Sequence, residues 1–190
     1  EFLYSTHQKG IALFEIPFST DTDSFAVTFI HGSYSEGLAA GDIDGDGDSD
    51  VCAGDNGSVF WIENPAVGDN GVLILHRIHT ISGTLDRVAA GDFDIDGDCD
   101  IVYSDEGGEG NLIVLFNPDD DPENSVWHQE KLDETGYGFL SLHSADFDAD
   151  GDMDIVAGES DGDCSVKIWE TKGNKAFESH LVHDDGRAYQ

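Results

Sequence analysis

The sequence predicts an all-β fold built from repeated units, and two observations lead to this prediction. First, three acidic segments, Asp42–Asp50, Asp92–Asp100 and Asp146–Asp154, share five Asp and one Gly in register. They begin at residues 42, 92 and 146 and are therefore 50 and 54 residues apart. Second, short stretches rich in β-branched and aromatic residues follow each segment, and no 3.6-residue periodicity is long enough for a substantial helix.

Each unit holds four strand-like stretches in a fixed order, which the middle unit illustrates. Val88–Gly91 precedes the acidic segment and Ile101–Ser104 follows it. An aromatic stretch, Asn111–Pro118, comes next, and Val126–Leu132 follows a turn rich in Asp and Asn. Four-stranded units of about 50 residues are typical of a β-propeller, whose sheets are arranged radially around an axis.

The repeat phase predicts about four repeats in a single propeller, or in a segment of a larger one. We expect partial blades at 1–24 and 177–190 and full blades at 25–71, 72–125 and 126–176. Glu1–Ser5 aligns with Asp100–Ser104, so the first residues are expected to lie inside a blade. Because an exposed sheet edge favours aggregation, the terminal half blades are expected to meet each other, further blades or a second chain.

The acidic segments have the spacing Asp-x-Asp-x-Asp-Gly-Asp-x-Asp, which suits a hard cation. This spacing places side-chain oxygens at positions 1, 3, 5 and 9 and a carbonyl at position 7, while Gly at position 6 permits a sharp turn. Calcium accepts about 6–8 oxygen ligands in flexible geometry, whereas magnesium demands a tighter octahedron. Without a cation the carboxylates would repel one another. The spacing therefore predicts one structural Ca²⁺ in each loop, three in total.

The loops differ from the helix-flanked EF-hand calcium site. An EF-hand requires a bidentate Glu at position 12. Here position 12 is Ala53, Tyr103 or Ala157, and β-type sequence follows.

The composition excludes two classes of function. The chain carries 41 acidic and 8 basic residues, a formal net charge of -33, which argues against nucleic-acid binding because phosphate contacts need clustered Lys and Arg. The apolar runs are too short for a spanning helix, so no membrane insertion is expected.

Cys52, Cys99 and Cys164 fit neither a disulfide scaffold nor a zinc site, and they are interpreted as small buried or loop thiols or as one disulfide.

The acidic loops, the Ile155-Val-Ala-Gly158 stretch and the Trp61-Ile-Glu-Asn-Pro65 stretch resemble FG-GAP or VCBS repeats. These are the calcium-loop blades of integrin α-chain propellers and of many secreted bacterial and marine proteins. The resemblance implies a propeller of about seven blades with a calcium loop bridging two strands of one blade. The implied side-chain ligands are Asp42, Asp44, Asp46, Asp50, Asp92, Asp94, Asp96, Asp100, Asp146, Asp148, Asp150 and Asp154. The implied carbonyl ligands are those of Asp48, Asp98 and Asp152.

The remaining candidate residues do not identify a reaction, so no catalytic residue is predicted. Five histidines lie in outer-strand stretches and are expected to face solvent: His76, His79, His128, His180 and His183. Trp61 and Trp169 are expected to pack between blades, with sugar stacking as the alternative. Glu15, Glu63 and Glu170 recur at equivalent positions, so they do not distinguish an acid–base pair from repeated surface carboxylates.

Three functions remain open on this basis. The first is an extracellular recognition or adhesion module for a glycan or protein ligand, since loops of this kind fill at millimolar calcium. The second is the scaffold of a polysaccharide lyase or hydrolase. The third is a structural subunit that assembles into a fibre or surface layer through its incomplete terminal blades. Fold alone does not choose among them.

Overall fold

A computed structural model describes residues 2–6, 10–15, 26–31, 36–64, 73–106, 109–118, 121–159 and 165–184. Within these ranges the chain forms fourteen β-strands and no helix, as the sequence predicts. The described residues accordingly include no helix that is long and apolar enough to cross a membrane. The strands are β1 Phe2–Thr6, β2 Gly10–Glu15, β3 Ala26–His31, β4 Leu38–Gly41, β5 Asp50–Gly54, β6 Asn56–Glu63, β7 Ile74–Gly91, β8 Asp100–Glu106, β9 Asn111–Phe116, β10 His128–Glu134, β11 Phe139–Ala145, β12 Asp154–Glu159, β13 Val166–Thr171 and β14 Phe177–His183.

The strands form three sheets in which sequence neighbours pair antiparallel. The first sheet has the order β1-β2-β3, the second runs from β4 to β10, and the third has the order β11-β12-β13-β14. The second sheet consists of two four-stranded units that share β7, whose first part pairs with β6 and whose second part pairs with β8. Strand β7 therefore passes from the outer edge of one unit to the inner edge of the next.

These meanders are the four-stranded units that the sequence predicts. In each, the acidic segment lies between the first and second strands, and the outer strand pairs with the third strand. The blade boundaries at 25–71, 72–125 and 126–176 stay a prediction, as do the partial blades at 1–24 and 177–190. No strand pairing among the described residues joins β14 to β1, so a closed propeller also stays a prediction.

The hydrophobic core lies between neighbouring units because the middle strands are apolar on both faces. On β6, Val59 and Trp61 pack into one cluster, while Phe60 and Ile62 pack into another on the opposite side. The first cluster also contains Tyr103 from the next unit. The other side is shared with Ile11 of the first sheet.

A third cluster joins the last two units. Val102 and Val114 of the second sheet pack with Phe139, Ile155 and Trp169 of the third sheet. Trp169 contacts Phe139 edge to face, with ring centroids 6.1 Å apart. The packing role expected for Trp61 and Trp169 is therefore confirmed.

Small residues let the units approach closely at their inner edge. Gly54 on β5 lies against Leu85 of the next unit, and a Cβ at Gly54 would fall 2.5 Å from the Leu85 Cβ. Polar contacts join the following pair of units, since Ser144 Oγ donates to the Ala90 carbonyl at 2.8 Å. The Arg87 Nε–H donates to the Leu140 carbonyl at 2.9 Å. This packing fixes the acidic loops at the ends of the first strands.

Candidate metal centres

The three acidic loops share one backbone conformation, and each joins the first and second strands of a unit. We number their residues 1 to 9 from Asp42, Asp92 and Asp146. Position 6 is glycine in all three, and its φ angle is 95°, 102° and 106° at Gly47, Gly97 and Gly151. An L side chain is strained at these angles, so the sequence meets a geometric need of the turn. Position 4 also has a positive φ, and it is Gly45, Ile95 and Ala149 in the three loops.

The carboxylate at position 9 is buried and ties each loop to the third strand of its unit. In the second loop, Asp100 Oδ2 accepts a hydrogen bond from the Phe93 N–H at 2.8 Å. Asp100 Oδ1 accepts one from the Asn117 N–H, also at 2.8 Å. Asp50 and Asp154 accept the equivalent pairs in the other loops, at 2.8–2.9 Å and 3.0 Å.

Burial shifts the titration of two of these carboxyl groups. It raises the pKa of Asp50 to about 6 and that of Asp100 to about 7, although the hydrogen bonds from backbone N–H groups oppose the shift. A nearby positive charge would therefore stabilise the ionised form of both groups.

The carboxylate at position 1 closes the turn by accepting a hydrogen bond from the glycine N–H at position 6. The distances are 3.1 Å at Asp42, 3.0 Å at Asp92 and 3.2 Å at Asp146. Position 5 accepts a hydrogen bond from the N–H of position 7 in the same way, at 3.0–3.3 Å. These bonds curl the backbone around the side-chain oxygens.

As a result, three carboxylates in each loop direct oxygens toward a common point. One oxygen from each member of a trio lies within 4.8 Å of the others, so each trio could hold a metal ion. Position 9 belongs to the trio in the first and third loops, and position 5 belongs to it in the second. The trios are Asp42, Asp44 and Asp50; Asp92, Asp94 and Asp96; and Asp146, Asp148 and Asp154.

Buried oxygens inside the loops fit a bound cation. Asp42 Oδ1, Asp94 Oδ1 and Asp152 Oδ1 are buried and accept no hydrogen bond. A buried carboxylate oxygen without a partner is costly, and a cation in the loop would satisfy it. Burial also raises the pKa of Asp44, and the Asp46 carboxylate adds to that shift. The donors are all oxygens, which suits a hard divalent ion.

Residues that the sequence did not single out support two of the loops from the neighbouring unit. The Asn117 Nδ2–H donates to the Ile43 carbonyl of the first loop at 2.8 Å. Lys175 pairs with Asp94 of the second loop, and its ammonium group lies 4.3 Å from the centre of the Phe116 ring. The recurring Asn-Pro at 64–65 and 117–118 was a signal for the first contact, whereas Lys175 carries no repeat signal.

The predicted ligands at positions 1, 3, 5 and 9 all lie in these loops. At position 5, Asp46, Asp96 and Asp150 each accept a hydrogen bond from the N–H of position 7. The donors are the N–H groups of Asp48, Asp98 and Asp152, in that order. Ligation by all fifteen Asp residues, including the carbonyls at position 7, stays a prediction.

Comparison with known families bears on the middle of the chain. Residues 92–157 match the family model of the FG-GAP-like repeat. The chain contains an FG-GAP-like repeat. The matched segment runs from the second acidic loop through the third, and the first loop shares their backbone angles. No curated protein matches the chain at a significant level. The match fits the β-propeller-type arrangement of the strands between residues 92 and 157.

The prediction that the outer-strand histidines face solvent needs a correction at two positions. The outer-strand histidines face solvent at His128, His180 and His183 but not at His76 and His79, which are partly buried. The reason is that β7 continues into the core between units, whereas β10 and β14 stay at the edge.

The cysteines are free thiols where the structure describes them. Cys52 is buried and Cys99 is partly buried, so burial raises the pKa of both thiols. Both fit the interpretation as small core residues, and Cys164 lies outside the described residues.

Proposed function

We propose that this FG-GAP-like chain is a calcium-binding β-propeller module in which each acidic loop binds one Ca²⁺. The observation that carries the proposal is the pair of buried, partnerless oxygens Asp42 Oδ1 and Asp94 Oδ1 in loops whose other carboxylates converge on the same point. Calcium accepts 6 or more oxygen ligands in flexible geometry, roughly what a nine-residue loop with five Asp offers.

Calcium would act in this module as a structural ion. When bound, it would neutralise carboxylates that otherwise repel one another. The protein's own residues supply the rest of the arrangement. In the second loop, Asp92 closes the turn, Asp94 and Asp96 present oxygens, and Asp100 joins the loop to the third strand through Asn117. Holding the loop therefore also holds three strands of one unit together.

A calcium titration of protein freed of divalent ions tests the proposal. We expect three sites per chain by isothermal titration calorimetry. Asp44→Asn, Asp94→Asn and Asp148→Asn should each reduce the number of sites by one, because each removes a position 3 oxygen from one loop. Glu130→Gln is the matched control, since Glu130 is an exposed acid on β10 outside the loops. Absence of calcium uptake, or three sites in all three loop variants, would overturn the proposal.

The module is proposed to act outside the cell. Calcium sites of extracellular modules bind with a Kd of roughly 10⁻⁴–10⁻³ M, whereas cytosolic sensors bind more tightly. The same titration therefore tests the location: a Kd in the extracellular range supports it, and a Kd below about 10⁻⁷ M contradicts it.

The partner of the module is proposed to be a glycan or a protein ligand that it recognises in adhesion. The net charge of -33 favours a neutral or basic partner. A glycan array and a surface-binding assay, each with and without calcium, test it. Calcium-dependent binding to a defined ligand is the expected result. Turnover of a polysaccharide in the same samples would instead indicate the enzyme scaffold.

A further inference from the structure

Outside the acidic loops, one group of side chains combines an imidazole with two carboxylates. Glu63 on β6, His76 on β7 and Glu123 in the turn between β9 and β10 each offer a ligand atom, and these atoms lie within 4.8 Å of one another. His76 Nε2 and Glu63 Oε2 are 2.8 Å apart. Since Glu123 belongs to the next unit, the group spans two neighbouring units.

Packing holds the His76 side chain in place, and a hydrogen bond anchors the turn that carries Glu123. The His76 ring stacks on the buried Trp61 ring, with centroids 4.4 Å apart, and only 12% of its side chain is exposed. Glu63 lies on the same strand as Trp61. The turn that carries Glu123 is anchored because the Trp127 Nε1–H donates to the Pro122 carbonyl at 2.9 Å. Trp127 is itself part of the core between the two units.

The chemistry of this group differs from that of the aspartate loops. A neutral imidazole nitrogen is a preferred ligand of Zn²⁺ and other first-row transition ions, whereas calcium sites use oxygens. Ligands of a tetrahedral ion bound at about 2.0–2.1 Å lie roughly 3.3 Å apart, so small side-chain rotations would bring these three atoms into range. No Lys or Arg in the described part of the chain pairs with Glu63 or Glu123.

A second group of similar composition provides a contrast. Glu170, Glu178 and His180 form the corresponding cluster in the last unit, and His180 Nε2 lies 2.9 Å from Glu170 Oε2. There, however, the Lys172 ammonium pairs with Glu170, and all of the ligands come from one four-stranded unit. The His180 side chain is 48% exposed. An incoming divalent cation would meet the lysine charge and a site open to water.

We propose that Glu63, His76 and Glu123 form a binding site for a divalent transition ion of the Zn²⁺ type, and that the ion clamps the two central units together. The fourth ligand of a tetrahedral ion would be water. This site shares no residue with the calcium loops, but Glu63 lies close enough to the first loop for its charge to add to the raised pKa of Asp44.

Zinc titration in excess calcium tests the proposal, since calcium keeps the acidic loops filled. We expect one zinc site in the wild-type chain. In both His76→Gln and Glu123→Gln, the affinity for zinc should fall by about tenfold or more. Glu123→Gln is the decisive variant because Glu123 is exposed and its replacement leaves the core intact. His180→Gln is the matched control and should bind zinc as the wild type does.

Two further readouts separate a bound ion from a structural effect. Co²⁺ in place of zinc should give the visible absorption of a tetrahedral ion in the wild type but not in Glu123→Gln. Zinc should also raise the melting temperature of the wild type and leave that of Glu123→Gln unchanged. Equal zinc affinity in the wild type and both variants would overturn the site, and loss in His76→Gln alone would overturn the clamp between units.

Discussion

At the scale of single residues, Asp100 joins the second acidic loop to the strands on either side of it. Its side chain is fully buried, and its two oxygens accept N–H bonds from Phe93 and Asn117. The repeat predicted a carboxylate here as a metal ligand. The hydrogen bond between Asp100 and the Asn117 N–H could not be predicted. The two residues are 17 positions apart in the sequence, and they meet only because β8 and β9 pair in this register.

Asp100→Ala should therefore destabilise the protein strongly. The change leaves two N–H groups without an acceptor, each at a cost of about 1–3 kcal/mol. We expect urea unfolding in calcium buffer to show a loss of at least about 2 kcal/mol. Glu130→Ala, on the exposed face of β10, should change the free energy of unfolding by less than about 0.5 kcal/mol. Similar losses in both variants would contradict the structural role of Asp100.

Asp86 is a second buried carboxyl group, and it lies outside the loops on β7. Burial raises its pKa to about 6, although the neighbouring Arg87 guanidinium, 2.5 Å from Asp86 Oδ1, opposes the shift. The folded state thus keeps the proton up to about pH 6, whereas the unfolded chain releases it near the ordinary Asp pKa of 3.8. Raising the pH between these values favours the unfolded chain, which binds fewer protons.

Relative to Asp86→Asn, the wild type should consequently lose stability as the pH rises from about 4 to 7. Urea unfolding of both proteins across this range measures the difference, and groups common to both cancel. If the difference in free energy of unfolding between the two proteins is constant with pH, or changes in the opposite direction, then folding does not raise the pKa of the Asp86 carboxyl group.

At the scale of elements, the sequence predicted the strands better than it predicted how they join. Ile101–Ser104 was expected as a strand and lies within β8. By contrast, Val88–Gly91 was expected as a short strand of its own, and in the structure it is the last part of the 18-residue β7. Ser82 and Gly83 lie between the two parts of this strand. Pairing with β6 at Thr80 and Thr84, and with β8 from Thr84 onward, maintains the strand on both sides of this irregularity. This pairing is long-range information that a local pattern lacks.

In the acidic loop, too, only part of the conformation could be predicted from the sequence. Glycine at position 6 predicted a turn, whereas nothing in the sequence predicted the φ of 66° at Ile95 in position 4. A left-handed conformation is costly for a β-branched residue, by roughly 1–2 kcal/mol. The first loop has Gly45 at this position, which adopts a φ of 74° without that cost.

Ile95→Asn should accordingly stabilise the second loop, because Asn tolerates the left-handed region. We expect a gain of about 1 kcal/mol in urea unfolding. Ile74→Asn is the control, since Ile74 is similarly exposed but lies in regular strand conformation on β7. A gain in the control as large as that in Ile95→Asn would show that the cause is the replacement of an exposed apolar side chain by a polar one, not the relief of backbone strain.

At the scale of the whole molecule, the three core clusters that the described residues form are each shared between units. Trp61 packs with Tyr103 of the next unit, and Val102 packs with Trp169 of the one after. Loosening one acidic loop should therefore weaken its neighbours as well. The repeat made this arrangement predictable in outline. The close approach of Gly54 to Leu85 was not predictable, because it depends on the three-dimensional spacing of two sheets.

Removal of calcium should thus lower the melting temperature of the whole chain in one transition. A site with free calcium at 100 times its Kd contributes about 2.7 kcal/mol to stability. Differential scanning calorimetry with calcium, with a chelator, and with Mg²⁺ in place of calcium measures the effect. We expect a large loss on chelation that Mg²⁺ does not restore. Three separate transitions, or an unchanged melting temperature, would contradict the coupling of loops and cores.

Diffraction from crystals grown in calcium tests the account most directly, because it shows the contents of all three loops at once. We expect one ion in each loop, bonded at about 2.3–2.6 Å to carboxylate oxygens of positions 1, 3, 5 and 9. Anomalous scattering would distinguish calcium from water. Loops that contain only water at saturating calcium, with the carboxylates turned away from one another, would contradict the central claim.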